Sequence, residues 1–213
     1  MTADKDKPYS GLPNLIEPKQ ERSRARMDAL LKAGKHLFSI REYEDVTVAD
    51  IAVEAGCAVG TVYGRFQNKE ALFLAIVHDL LKPAEGHMES LLAILNEGTS
   101  PREVAGTMIR MLVAFFRNAE GILGAALRRS STNPESWTPL REAGGRTAML
   151  VLVAMARALR TEPEAVELRV LFAMQMVYGT LINALLNRPG PIQLADPRLE
   201  DELIKAMCSY LEI

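Results

Sequence analysis

Cysteine is almost missing: Cys57 and Cys208 are the only two in 213 residues. Two isolated cysteines give neither a metal-ligand spacing nor a disulfide framework, and a reducing cytoplasm is the expected compartment. Aromatic residues are equally scarce, at 6% with a single tryptophan. Strands draw on aromatic and β-branched residues, whereas this chain is rich in Leu, Ala and Met, so helices are expected. No uninterrupted apolar run approaches the roughly 20 residues that span a bilayer. The opening stretch MTADKDKPYSGLPNLIEPK also lacks the apolar segment of a secretory signal. An excess of positive charge is missing as well, the formal net charge being -2. A nucleic-acid partner would therefore need its cations placed locally. Histidine offers little, because His36, His78 and His87 form no i, i+4 pair. Neither a nucleophile motif nor a phosphate loop is found. Enzymatic chemistry, a metal and a cofactor are not expected.

What is present is helical periodicity. Residues 1–20 carry Pro8, Pro13 and Pro18 among scattered charges and are expected to form a mobile arm. From position 22 apolar residues recur at three and four (Met27, Leu30, Leu31, Leu37, Phe38), predicting a helix to position 40. Lys19, Arg22, Arg24, Arg26, Lys32 and Lys35 give this region local positive charge. Thr47 is a good N-cap for a second helix, with Asp50 in its first turn. Gly56 ends that helix, because glycine tolerates the left-handed backbone needed there. A short third helix is predicted over 59–66. Asn68 caps a fourth that runs to about 96, with Pro83 as a kink or restart. Ser100 and Pro101 open a fifth helix to 118. Further helices are expected over 120–130, 139–160, 163–186 and 197–211. The fold class is all-α: an N-terminal three-helix unit over 21–80 and a helical C-terminal unit over 81–213.

Residues 47–66 read as helix, tight glycine turn, short helix. That layout places its second helix in a DNA groove. Val62 and Phe66 are the apolar, inward positions. Gly60, Thr61, Tyr63, Gly64 and Arg65 are left on the outer side. Gly60 and Gly64 remove bulk, so the backbone can approach a phosphate or base edge. Thr61 and Tyr63 carry hydroxyls for phosphate or a thymine methyl, and Arg65 carries a cation for phosphate or guanine. Lys69 adds a cation at the next helix start.

The run TVADIAVEAGCAVGTVYGRFQNKEALF, Thr47 to Phe73, resembles the TetR family of bacterial transcriptional regulators. The matching order is Thr, then I-A-x-x-A-G, then G-T-x-Y-x-x-F, then N-K-E-x-L-F. The resemblance implies a homodimer, usually a repressor, that binds a palindromic double-stranded operator and is released when a small molecule enters the C-terminal unit. It implies phosphate and groove contacts from Thr47, Thr61, Tyr63 and Lys69, and close approach to bases at Ala58, Val59, Gly60 and Gly64. Ala58 departs from the family's usual capping Ser, and Val59 stands where a polar residue is common.

The same resemblance places a ligand pocket in the C-terminal unit. Met88, Met108, Met111, Phe115, Trp137, Met149 and Met155 are candidates for its wall, although methionines at helical spacing also build plain core. Few charges interrupt these faces, so an apolar or aromatic inducer is expected. Gln175, Arg128 and Asn183 are candidate polar contacts. Leu168, Leu171, Phe172, Gln175, Tyr178, Gly179 and Ile182, with Leu199, Leu203, Met207 and Leu211 of the last helix, are candidates for a four-helix dimer interface. Their alternative is burial within one subunit. An interaction protein that kept the fold and lost DNA binding is the rival reading, and salt dependence separates the two.

Overall fold

The computed structural model describes residues 21–94, 98–187 and 190–213; the expected arm over 1–20 lies outside them. Nine α-helices follow one another among the described residues: α1 (Glu21–Ile40), α2 (Val48–Glu54), α3 (Val59–Tyr63), α4 (Lys69–Ile94), α5 (Pro101–Asn118), α6 (Glu120–Arg129), α7 (Thr138–Leu159), α8 (Pro163–Leu186) and α9 (Leu199–Leu211). A single 3-10 turn, Pro134–Ser136, precedes α7. No strand occurs among the described residues.

Local chemistry sets the helix starts. The Thr47 Oγ1 accepts from the Asp50 N–H at 3.1 Å, while the Asp50 carboxylate accepts from the Thr47 N–H at 2.8 Å. Ser100 and Glu103 repeat this reciprocal cap at α5, followed by Pro101. α3 ends at Tyr63 rather than at 66, because Gly64 caps it and the chain turns there.

α1, α2 and α3 pack around the first stretch of α4, with Leu30, Ile51, Val62, Phe66 and Ile76 buried between them. Phe38, Tyr43 and Phe73 interlock there, with ring centroids 5.1–5.3 Å apart. α7 lies against α4, α5 and α8, and α9 lies against α5 and α8. The predicted division at 80/81 falls inside α4, which continues past Pro83. The buried apolar residues form one connected core across both parts.

Two long-range devices tie the body together. Arg117 on α5 donates to the Leu194 carbonyl at 2.8 Å, the Asp196 carbonyl at 2.9 Å and the Glu200 carboxylate at 2.6 Å. It thereby pins the loop before α9. Gly121 on α6 lies against the end of α1: a methyl carbon placed on it would stand 2.6 Å from the Ser39 Cα and 2.8 Å from the Phe38 carbonyl oxygen.

Helix α8 passes the length and composition test for a bilayer span that no uninterrupted apolar run in the sequence meets. Its mean hydropathy reaches 1.4 over 18 residues. Here one side of it packs on α7 and α9, and the other side is exposed.

Capping carboxylates predict the acid response. Hydrogen bonds from Thr47 hold the Asp50 carboxyl below its ordinary value, and those from Ser100 do the same for Glu103. Arg198 lowers Asp196 from 3.8 to about 2. Each group binds its proton more weakly when folded. Its stabilisation is therefore complete above the unfolded value near 4 and is lost as pH falls through the folded value. The urea midpoint should fall steadily from about pH 5 to about pH 2, and Asp196→Asn should flatten the lower part of that fall. An identical pH profile for the variant would remove Asp196 from the account.

Candidate nucleic-acid interface and ligand cavity

The turn between α2 and α3 is closed by the backbone. The Cys57 N–H reaches the Ala52 carbonyl at 2.9 Å and the Gly56 N–H reaches the Val53 carbonyl at 3.0 Å. Gly56 has φ 65°, the left-handed value that this paired pattern requires at the position after a helix. The turn delivers α3 with Val62 buried and Val59, Gly60, Tyr63 and Gly64 exposed on one face. Tyr63 is 55% exposed, unusual for so large a ring. Thr61 is half-buried beside it. Ala58 precedes α3 in an extended conformation and gives no side-chain cap. Relative to a capping Ser, that omission costs about 1 kcal/mol.

Three predicted phosphate ligands make hydrogen bonds within the head. The Lys69 ammonium donates to the Tyr43 carbonyl at 2.6 Å and the Val46 carbonyl at 2.7 Å, and sits 4.1 Å from the Tyr43 ring centroid. Burial lowers its pKa. Its role here is to hold the α1–α2 connector on α4. Arg65 donates to the Ser23 hydroxyl on α1 at 2.6 Å. The Thr47 hydroxyl donates to Asp50 at 2.8 Å. The surface still free to meet a groove is therefore the α3 face of Val59, Gly60, Tyr63 and Gly64, with Ala58 at its start. Exposed Arg24 and Arg26 on α1 add positive charge.

Behind this head the helices enclose a cavity of about 1080 Å³, at the upper end of the size of small-molecule sites. Met111, Phe115, Trp137 and Gln175 line it. Other candidates lie elsewhere. Met108 and Met155 are fully buried core, because their helix positions point to packed neighbours rather than to the gap. Met149 is 49% exposed on the far side of α7. Arg128 is paired with Glu42 at 2.8 Å, and Asn183 with Asn187. The side chain of Met88 lies outside the described residues. Leu171, Tyr178, Gly179 and Ile182, expected at a dimer interface, line the cavity. The Tyr178 hydroxyl donates to the Gly144 carbonyl at 3.2 Å, and burial pushes its pKa up to about 12.

A polar cluster that the sequence does not advertise joins cavity and head. Glu70, at the start of α4, accepts from the Tyr43 hydroxyl at 3.0 Å, from the fully buried Ser136 hydroxyl at 3.1 Å, and from Arg129. Arg129 also lies 3.7 Å from the Tyr43 ring centroid. Ser136 is the immediate neighbour of Trp137 on the cavity wall.

Comparison with known proteins agrees with this arrangement. A family profile described as bacterial regulatory proteins, tetR family, matches residues 30–76, the whole of the turn and both its helices. Residues 30–76 are a TetR-family domain. Among relatives, this chain is 32% identical over 88 residues to an uncharacterized HTH-type transcriptional regulator, YdgC, of Bacillus subtilis, covering 41% of this chain and 44% of that protein. It is 35% identical over 79 residues to the HTH-type transcriptional repressor KstR2 of Mycolicibacterium smegmatis, covering 37% of each. The chain thus spans less than half the length of these two curated relatives. Its fold is similar over nearly the full length to a TetR transcriptional regulator from Rhodococcus, with a TM-score of 0.53 at 20% identity, covering 91% of this chain and 98% of that one. A TetR transcription regulator from Haloarcula marismortui gives a TM-score of 0.69 at 13% identity, covering 89% and 97%.

Helix α8 keeps an exposed apolar stripe. Leu168 is 81% exposed, and Phe172 and Met176 follow at helical spacing. The Phe172 ring lies 5.7 Å from that of exposed Tyr210 on α9. Leu199, Leu203, Met207 and Leu211, predicted for the interface, are instead buried against their own subunit. The apolar side of α9 faces α5 and α8, so its outer side carries Tyr210 instead.

Proposed function

We propose that this chain is a homodimeric, cytoplasmic transcriptional regulator, most simply a repressor, and not an enzyme. It reads a palindromic double-stranded operator through α3 and is released by a small, mainly apolar or aromatic ligand in the cavity. The observation that carries the reading is the exposed face of α3, held out from the core by the Gly56 turn. Its glycines let the backbone near the duplex, and the Tyr63 hydroxyl reaches toward phosphate. The stripe of Leu168, Phe172 and Met176 on α8, with Tyr210, supports a twofold contact in which the same patch meets itself.

The test is a footprint of the purified protein on DNA flanking its own gene, at two salt concentrations. Protection over a palindrome that weakens steeply with salt is the expected result. Tyr63→Ala should weaken operator binding about tenfold, roughly 1.4 kcal/mol, with the dimer unchanged by sedimentation. Unaltered affinity would take Tyr63 off the contact surface. Binding that ignores both sequence and salt would favour an interaction protein whose head no longer reads DNA.

A further inference from the structure

The charges on the cavity wall are of one sign. Lys35 and Arg141 line the cavity, and among the described residues no Asp or Glu does. Lys35 already holds Asp79, with Nζ 2.5 Å from Oδ2, so its charge is neutralised. The Arg141 backbone N–H donates to the Trp137 carbonyl at 3.0 Å, but its guanidinium has no ion-pair or hydrogen-bond partner among the described residues. Arg117, Arg128, Arg129 and Arg169 in the same part of the chain each hold a carboxylate.

Arg141 stands one helical turn from Gly145 on α7, so both lie on the same face, and both carry exposed surface along the cavity. A methyl carbon built on Gly145 would meet nothing within 4 Å. The wall is therefore open beside the guanidinium, while Phe115, Trp137 and Met111 make the rest apolar.

A guanidinium presents its donors as a rigid planar fork that matches a carboxylate. An anionic end placed there gains a charge-assisted pair. A cationic end would find the uncompensated Arg141 guanidinium and, among the described residues, no carboxylate on the wall. We infer that the cavity takes an amphipathic anion, an apolar body with one carboxylate held by Arg141. The inference rests on the cavity being the receptor site. It separates this chain from the choline-bound structure of a Saccharomonospora viridis regulator of the same fold, whose ligand is a cation.

The experiment titrates the purified full-length protein with decanoate, decanol and decyltrimethylammonium. These probes share one apolar tail and differ in charge. Trp137, the single tryptophan, lies on the wall and reports occupancy by its emission; calorimetry supplies the affinities. Decanoate should bind about tenfold more tightly than either other probe, as expected for one charge-assisted pair. Arg141→Gln should erase that preference while leaving decanol binding unchanged. The side chain is exposed, so the variant should fold, which its thermal midpoint checks. Gly145→Trp should fill the open wall and block decanoate. Equal binding of decanoate and decanol, tightest binding of the ammonium, or a preference that survives Arg141→Gln would overturn the anion assignment and leave the receptor site standing. No response to any of the three would overturn both.

Discussion

Gly121→Val should lower the folding stability by about 3 kcal/mol, the upper part of the range for overpacking a tight contact. At Gly121 the obstacle is backbone. The added carbon would meet the Ser39 Cα at 2.6 Å, the Phe38 carbonyl at 2.8 Å and the Ser39 carbonyl at 3.0 Å. No side chain can rotate away, so α6 must lift from α1. Contrast Gly34, where an added carbon would meet chiefly the tip of the Ile76 side chain, which has rotamers available. Gly121→Ala should be the milder of the two variants at this site, and Gly34→Ala milder still. Urea midpoints of the three variants decide it. A Gly121→Val midpoint equal to the parent would mean that α6 does not rest on α1 in solution. Because α6 bears on the head through this contact, DNA binding by Gly121→Val should weaken beyond what lost stability explains.

The second large effect is expected at Glu70. Glu70→Ala should cost about 3 kcal/mol, at the lower end for breaking a buried ion pair because about a fifth of each partner remains exposed. The loss has three parts: Arg129 keeps only the longer pair with exposed Glu44 at 3.6 Å, the Ser136 hydroxyl loses its acceptor at zero exposure, and the Tyr43 hydroxyl loses its acceptor. Glu70→Gln retains an acceptor and the side-chain length, so it should cost less than the alanine. A second readout is available because Ser136 precedes Trp137. The emission of Trp137 should shift in Glu70→Ala without added ligand. An unshifted spectrum together with an unchanged midpoint would show that the cluster does not couple the cavity wall to the head.

Gly121 did not stand out in the sequence, Glu70 did only as one letter of the N-K-E-x-L-F run, and the reason is physical. Gly121 opens a helix where glycine has many causes, and only the arrival of the α1 backbone gives it one. Glu70 reads as an acidic first-turn residue suited to the helix dipole, and its three donors come from positions 43, 129 and 136. Lys69 and Arg65 gained partners that their spacing did not show. A cation next to an exposed short helix invites a phosphate role, and in the fold Lys69 and Arg65 also bond carbonyls and a serine hydroxyl of the same head.

The sequence by itself determined the helices, their caps, the Gly56 turn, the exposed face of α3 and the family. All of these depend on contacts spanning a few residues: a capping hydroxyl three positions from its N–H, a glycine that alone accepts φ 65° cheaply, apolar residues three and four apart. Tertiary structure decided what each apolar face meets. α8 is apolar nearly all round, so its periodicity cannot tell core from cavity from partner surface. Only the packing of α7 and α9 assigns Val170 and Val177 to the core side, Leu171 and Ile182 to the cavity, and Leu168, Phe172 and Met176 to the outside. The same packing left Arg141 on a cavity wall without a counter-charge, a fact that no spacing along the chain encodes.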